Sequence, residues 1–197
     1  DCLKDLPEQT KKIIVENSGN YNLKKRIENN YKNTECFIMT ENFGYGKANN
    51  FGILKSTTDY IFIINPDTKV TNESFEQIIS ILKDKDFAIA APQIVEKDKV
   101  YRQNKDNIEV KKVDHVPGMA MILNKKKFKG NYFDENIFLY LEEIDLCKRL
   151  IENNYKIFLC KNAKILHKGA KSTNIGFEFE KCRNWHWMWS KVYYDKK

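Results

Sequence analysis

Between residues 11 and 92, short apolar runs alternate with amphipathic segments, and this alternation narrows the available architectures to a few. KKIIV (11–15), ECFIMT (35–40), DYIFIINPD (59–67) and FAIAAP (87–92) read as strands. NLKKRIENNY (22–31), YGKANNFGILKSTT (45–58) and ESFEQIISILKD (73–84) read as helices, the last with Phe75, Ile78, Ile79 and Leu82 on one face. Strands this uniformly apolar need cover on both faces. The expected class is α/β: a parallel sheet between helices, joined by right-handed crossovers.

The second half is less regular. VEKDKVYRQNKDNIEVKK (95–112) is polar and suits a hairpin or loop, and PGMAMILNKKKF (117–128) suits a strand followed by a short basic helix. Residues 139–154 read as a helix, KIFLC (156–160) and AKILH (163–167) as two short strands, and 178–195 as a final helix. That helix carries Phe179, Cys182, Trp185, Trp189 and Val192 on one stripe.

A chain of 197 residues fits one domain, or one domain with an appendage. Its net charge of +7 is unevenly placed: residues 161–197 hold nine Lys/Arg against three Asp/Glu, so the preceding body is close to neutral. The five cysteines form no CxxC pair. Cys36, Cys147 and Cys160 sit in apolar runs and read as reduced core thiols rather than a disulfide frame or a zinc site. No apolar run approaches the length of a membrane span, and no signal peptide is visible.

Open parallel sheets bind ligands past the carboxyl ends of their strands. Three such ends are polar: Glu16-Asn17-Ser18-Gly19, the stretch from Asn42 to Asn50, and Asn65-Pro66-Asp67. NFGYGKANNFG lets backbone approach a ligand ahead of a helix N-terminus, which suits a phosphate; a plain tight turn accounts for it equally. Asp67 suits a hard cation on substrate phosphates, or an Asx-turn. His167, at a strand tip, is a metal-ligand candidate. Glu142, Glu143 and Asp145 crowd one first helical turn, where acids complement the helix dipole or serve as a general base.

The order of these motifs resembles family-2 glycosyltransferases of the GT-A fold, in particular the rhamnosyltransferase-like group. IIVENSG (13–19), ENFGYGKANNFGI (41–53), INPDT (64–68), PGMAMILNKKKF (117–128), YFDENIFLYLEEIDLCKR (132–149) and ILHKGAKS (165–172) follow the family order. The resemblance implies a mixed, mainly parallel sheet with flanking helices, spanning a domain of residues 1–172, with 173–197 as a basic aromatic C-terminal helix. It implies sugar transfer from a nucleoside-diphosphate sugar to a glycan or lipid-linked acceptor hydroxyl, inverting and dependent on a divalent metal (Mn or Mg), in cell-surface polysaccharide synthesis. Glu16 would meet the base or ribose. Asn17, Asn42, Gly44, Gly46 and Asn49 would line the donor, with Asn65 near the diphosphate. Asp67 and His167 would hold the metal. Glu143 would be the base; it stands where the motif usually has Asp, one methylene longer. A non-catalytic GT-A-like binding or assembly subunit is the alternative. The family also opens with a strand and helix ahead of IIVENSG; DCLKDLPEQT resembles the end of that helix, so the chain is expected to be part of a longer protein.

EFEKCRNWHWMWSKVYYDKK (178–197) holds all three tryptophans among basic residues. Such a segment packs on the body or on a second subunit of a homodimer, or it meets a membrane surface. The expected location is cytoplasmic, with peripheral contact at the inner face of the membrane. A neutral body without a nucleic-acid motif argues against a nucleic-acid partner.

Overall fold

The apolar runs become strands and the amphipathic segments become helices, in the order their periodicity dictates. The computed structural model describes residues 2–96, 99–100, 109–168 and 176–197. Strand β1 (Lys12–Glu16) runs parallel to β2 (Thr34–Ile38), with helix α1 (Tyr21–Asn30) between them in sequence. Asn20 caps α1 by accepting from the Leu23 amide at 3.3 Å. Helix α2 (Tyr45–Lys55) packs on β1, and Gly52 makes the fit: a Cβ there would lie 3.2 Å from Val15 Cγ2.

The larger sheet contains β3 (Tyr60–Ile64), β4 (Thr68–Lys69), β5 (Ile89–Glu96), β8 (Ala120–Asn124) and β9 (Ile157–His167), in the order β3-β8-β5-β9-β4. The short β6 (Lys99–Val100) pairs with β5, and β7 (Val110–Lys112) with β9. The sheet is mixed. β5 and β9 are parallel at its centre, and β8 lies antiparallel between β3 and β5. Among the described residues β1 pairs with β2 alone and β3 with β8 alone.

Both sheet faces are covered. Ile89, Ala91, Met121 and Leu123 point to a cluster shared with Ile53 of α2 and with Leu146, Cys147 and Leu150 of α4 (Glu142–Glu152). Ala90, Ile94, Ala120 and Ile122 point the other way, toward Ile78 of α3 (Asn72–Asp84). Each fully buried Ile or Leu stabilises this sandwich by about 1.5–3 kcal/mol. Ile78 is buried as its helical face requires, whereas Ile79 is 42% exposed. All five cysteines are free thiols, and only Cys182 is exposed.

Two details depart from the linear reading. KIFLC and AKILH form one strand, β9, rather than two. Its register with β5 shifts between Pro92 and Gln93, so that Pro92 faces Cys160 and Gln93 faces Lys164. Proline has no amide to donate, and a bulge at that point lets the ladder continue. The second departure concerns helix α5 (Phe177–Lys196). Cys182, Trp185, Trp189 and Val192 of the expected stripe are exposed. The body-facing row is instead Arg183, His186, Ser190 and Tyr193. Ser190 donates to the Leu139 carbonyl at 2.7 Å, His186 stacks on Phe138 at 4.3 Å, and Arg183 donates to the Tyr140 hydroxyl. Most of the expected 95–112 hairpin, the end of ILHKGAKS and the 172/173 boundary lie outside the described residues.

Candidate active site

The end of β1 is built around one carboxylate. Glu16 accepts from the Ser18 hydroxyl, from the Ser18 amide at 3.1 Å and from the Asn20 amide at 2.7 Å. Its burial raises the carboxyl pKa, but these donors outweigh that and hold it below the ordinary glutamate value. Asn17 then ties the next loop to the strand. Its amide donates to Asn42 Oδ1 and to the Gly44 carbonyl, both at 3.0 Å, and its oxygen accepts from the Phe43 amide at 3.0 Å. Gly44 has φ +85°, and a Cβ there would sit 2.3 Å from the Phe138 carbonyl oxygen, so no larger residue fits without moving that segment. Gly46 and Asn49 turn into α2. Gly46 lies against Phe133, and Asn49 donates to the Tyr45 carbonyl at 2.9 Å.

The turn after β3 brings the second group. Thr68 closes it through its amide and hydroxyl, which donate to the Asn65 carbonyl at 3.1 and 2.7 Å. Asp67 Oδ2 lies 3.2 Å from His167 Nε2, because Thr68 of β4 pairs directly with His167 of β9. Both side chains are nearly buried. His167 Nδ1 is buried without a hydrogen-bond partner among the described residues, and Glu96 Oε2 lies 3.7 Å from it. A carboxylate on one ring nitrogen orients the other toward a cation. Among the described residues no three or more His, Cys, Asp or Glu side chains converge on one metal-ion site. Two protein ligands nonetheless suit a divalent ion that takes its remaining oxygens from phosphates and water.

The third group starts α4. Tyr140 and Leu141 both adopt left-handed backbone, φ +70° and +71°, which costs energy in residues with side chains. The α5 contacts to Leu139 and Tyr140 hold this conformation in place. The three acids that follow have separate fates. Asp145 is buried and saturated: Arg149 Nε at 2.8 Å and Lys197 Nζ at 2.7 Å. Lys197 also bridges to Asp134, whose carboxyl falls to about 2 despite its burial because Lys197, Asn136 and Tyr193 donate to it. Glu143 lies against Gly118, where a Cβ would be 3.6 Å from its carboxyl carbon. Burial raises the Glu143 carboxyl above the ordinary value, while two first-turn amides oppose the rise.

Glu142 is 3% exposed, and its Oε2 has no hydrogen-bond partner among the described residues. Burial, helped by the charge of Glu143, pushes its carboxyl from 4.5 up to about 8. The folded state therefore keeps this proton to higher pH than the unfolded chain. Stability contributed by this group is full below 4.5 and falls as pH rises to about 8. In Glu142→Gln, thermal midpoints measured at about pH 5 and about pH 8 are expected to lie closer together than in the parent protein.

A cavity of ≈ 390 Å³ lies at the start of α4, with Asn65, Tyr45 and Glu143 among its lining residues; Glu16, Asn17, Asp67 and His167 do not line it. Tyr45 lies within the 42–50 stretch, and the structure gives it a role of its own there. Its hydroxyl donates to the Gly118 carbonyl, and burial beside Glu142 and Glu143 raises its pKa, keeping it a neutral phenol. Asn50, the last residue of the same stretch, points elsewhere: it exchanges hydrogen bonds with Phe133 at 2.9 and 3.0 Å and locks α2 to the 133–138 segment. Glu96 sits in an ordinary strand end, and no local spacing marks it.

The profile described as Glycosyl transferase family 2 matches residues 1–164. A low-salt glycan biosynthesis hexosyltransferase, Agl10 of Haloferax volcanii, is 23% identical over 179 residues, covering 79% of this chain and 58% of its own length. The dTDP-rhamnosyl transferase RfbF of Shigella flexneri is 22% identical over 183 residues, covering 83% of this chain and 62% of its own. The chain thus spans about three-fifths of these two relatives. Among solved structures, GalNAc-T7 with UDP, GalNAc and Mn2+ superposes with a TM-score of 0.66 over 84% of this chain and 39% of its own, at 11% identity. That likeness is one of fold, and the shared fold is GT-A. With the profile running through the strand-tip turns, Asp67 and the acidic start of α4, the chain belongs to glycosyl transferase family 2.

Proposed function

We propose that this chain is the donor-binding and catalytic part of an inverting, metal-dependent glycosyltransferase acting in cell-surface glycan synthesis. One observation carries the reading. The Asn65–Thr68 turn contributes Asn65 to the cavity that holds Glu143, and Asp67 to the pair with His167. Sugar transfer from a nucleoside diphosphate needs a proton acceptor for the incoming hydroxyl and charge neutralisation of the departing diphosphate. Asp67 and His167 would hold a divalent cation, Mn or Mg, which when bound supplies that neutralisation as a Lewis acid. Glu96, 3.7 Å from His167 Nδ1, would orient that ring by closing to hydrogen-bond distance when the cation is bound.

Glu143 takes the hydroxyl proton of the acceptor. The acceptor oxygen bonds to the anomeric carbon as the bond from that carbon to the diphosphate oxygen breaks, and attack opposite the leaving group inverts the centre. Glu16 would accept from a ribose or base donor, and Asn17, Asn42 and Gly44 shape the loop beside it. Gly46 packs on Phe133 and Asn49 bonds back to Tyr45 within α2. The names of the relatives support a hexosyl or deoxyhexosyl donor. The test is thermal denaturation with UDP, dTDP, GDP and ADP, each with and without manganese. At least one pair is expected to raise the midpoint; no response to any of them favours a non-catalytic binding or assembly subunit.

A second reading concerns location. Among the described residues no helix is long and apolar enough to cross a membrane. The outer face of α5, however, exposes Phe177, Trp185, Met188, Trp189 and Val192, and Lys181 lies over the Phe177 ring at 4.2 Å. Indoles and lysines favour a headgroup boundary, where a lipid-linked acceptor resides. We propose a cytoplasmic location, peripheral to the inner face of the membrane. Co-sedimentation with phosphatidylglycerol vesicles is expected, weaker in high salt and lost in Trp185→Ala/Trp189→Ala. Self-association without vesicle binding would assign the face to a homodimer instead.

A further inference from the structure

We propose that Trp187 is the wall of an acceptor subsite that takes a pyranose ring, so that the acceptor presents a sugar, not a bare lipid phosphate, to Glu143. The inference rests on the transfer reading above. Trp187 lines the same cavity as Glu143, together with His115, Pro117, Leu139 and Tyr140. It therefore does not belong to the outward stripe of Trp185 and Trp189, although all three indoles are at least half exposed.

The position of Trp187 is built, not incidental. Arg183 and His186 before it and Ser190 after it are each anchored to the 138–140 segment. These anchors on both sides hold the Trp187 backbone beside the cavity. The same lining carries Glu143, Tyr45 and Asn65. Asp67 and His167, which suit the diphosphate end, do not line this cavity. The space next to the base therefore belongs to the group that loses its proton, which is the acceptor.

The lining matches a sugar chemically. A pyranose has one face of C–H groups and a rim of hydroxyls. An indole face beside Pro117 and Leu139 covers the first. The second needs polar partners, which Glu143 and His115 supply; His115 is held beside Asp114 at 3.1 Å. The cavity of ≈ 390 Å³ is within the range of small-molecule sites of about 300–1,000 Å³.

The test is saturation-transfer NMR on the protein with manganese and whichever nucleoside diphosphate stabilises it. The probes are the methyl glycosides of rhamnose, galactose, glucose and N-acetylglucosamine. At least one is expected to show transfer to the ring C–H protons of a single face. Trp187→Ala should weaken its binding at least tenfold, Trp187→Phe should restore much of it, and Trp189→Ala should change nothing. Equal binding in Trp187→Ala, equal loss in Trp189→Ala, or no glycoside bound by the nucleotide-saturated parent protein would overturn the subsite. A parent protein that no nucleotide stabilises instead sinks the underlying transfer reading, and the two failures are read separately in the same samples.

Discussion

Glu143→Gln is expected to lower sugar transfer by about 10²–10⁴-fold while leaving nucleoside-diphosphate binding intact. The substitution keeps length and volume against Gly118 and removes only the proton acceptor. Neither neighbouring acid stands in. Glu142 is buried and holds its proton up to about 8, so it is a poor base at neutral pH. Asp145 is already committed to Arg149 and Lys197. The parent enzyme carries a matching signature. Burial raises the Glu143 carboxyl, so the reactive carboxylate fills only as pH rises through that raised value. The acid limb of the rate profile should therefore lie above the ordinary glutamate value of 4.5 and vanish in the glutamine variant. Unchanged turnover in Glu143→Gln would move the base to another residue.

Asp67→Ala and His167→Ala are each expected to abolish the metal-dependent part of nucleotide stabilisation. A nucleoside diphosphate at about a hundred times its dissociation constant stabilises by about 2.7 kcal/mol, or about 5–10 °C for a chain of this size. Either variant should lose that shift while keeping its midpoint without nucleotide within a few degrees. The two side chains are equivalent here because they meet at 3.2 Å across the β4–β9 pairing. Glu96→Gln should take an intermediate place, weakening manganese binding by about 10–100-fold through the orientation of His167. Electron paramagnetic resonance of manganese reads all three directly. Full metal-dependent shifts in Asp67→Ala would remove the aspartate from the cation site.

The two predictions draw on different kinds of legibility. Asp67 stands out in the linear chain because Pro66 ends an apolar run and an acid follows. His167 stands out as the last residue of another such run. That the two touch depends on β4 and β9 lying side by side, which no local period encodes. Glu96 lies far from Asp67 in sequence and enters the same cluster only because β5 neighbours β9. The start of α4 reads as an acidic turn; its division into a buried neutral acid, an ion-paired acid and a cavity-lining acid does not.

Periodicity alone determined the α/β class, the helices and, apart from the two-residue β4, the strands up to Pro92, together with the polar tips where ligands gather, because side-chain alternation follows directly from backbone geometry. It could not decide that β8 inserts antiparallel between β3 and β5, since a short apolar run looks alike in either direction. It could not join β9 across its bulge, which answers to Pro92 on a different strand. Nor could it choose the face of α5. That helix meets the body through hydrogen bonds and ring stacking rather than an apolar stripe, so hydrophobicity pointed to the outward side. Tertiary packing made that choice, and with it set Trp187, Tyr45 and Glu143 around one cavity.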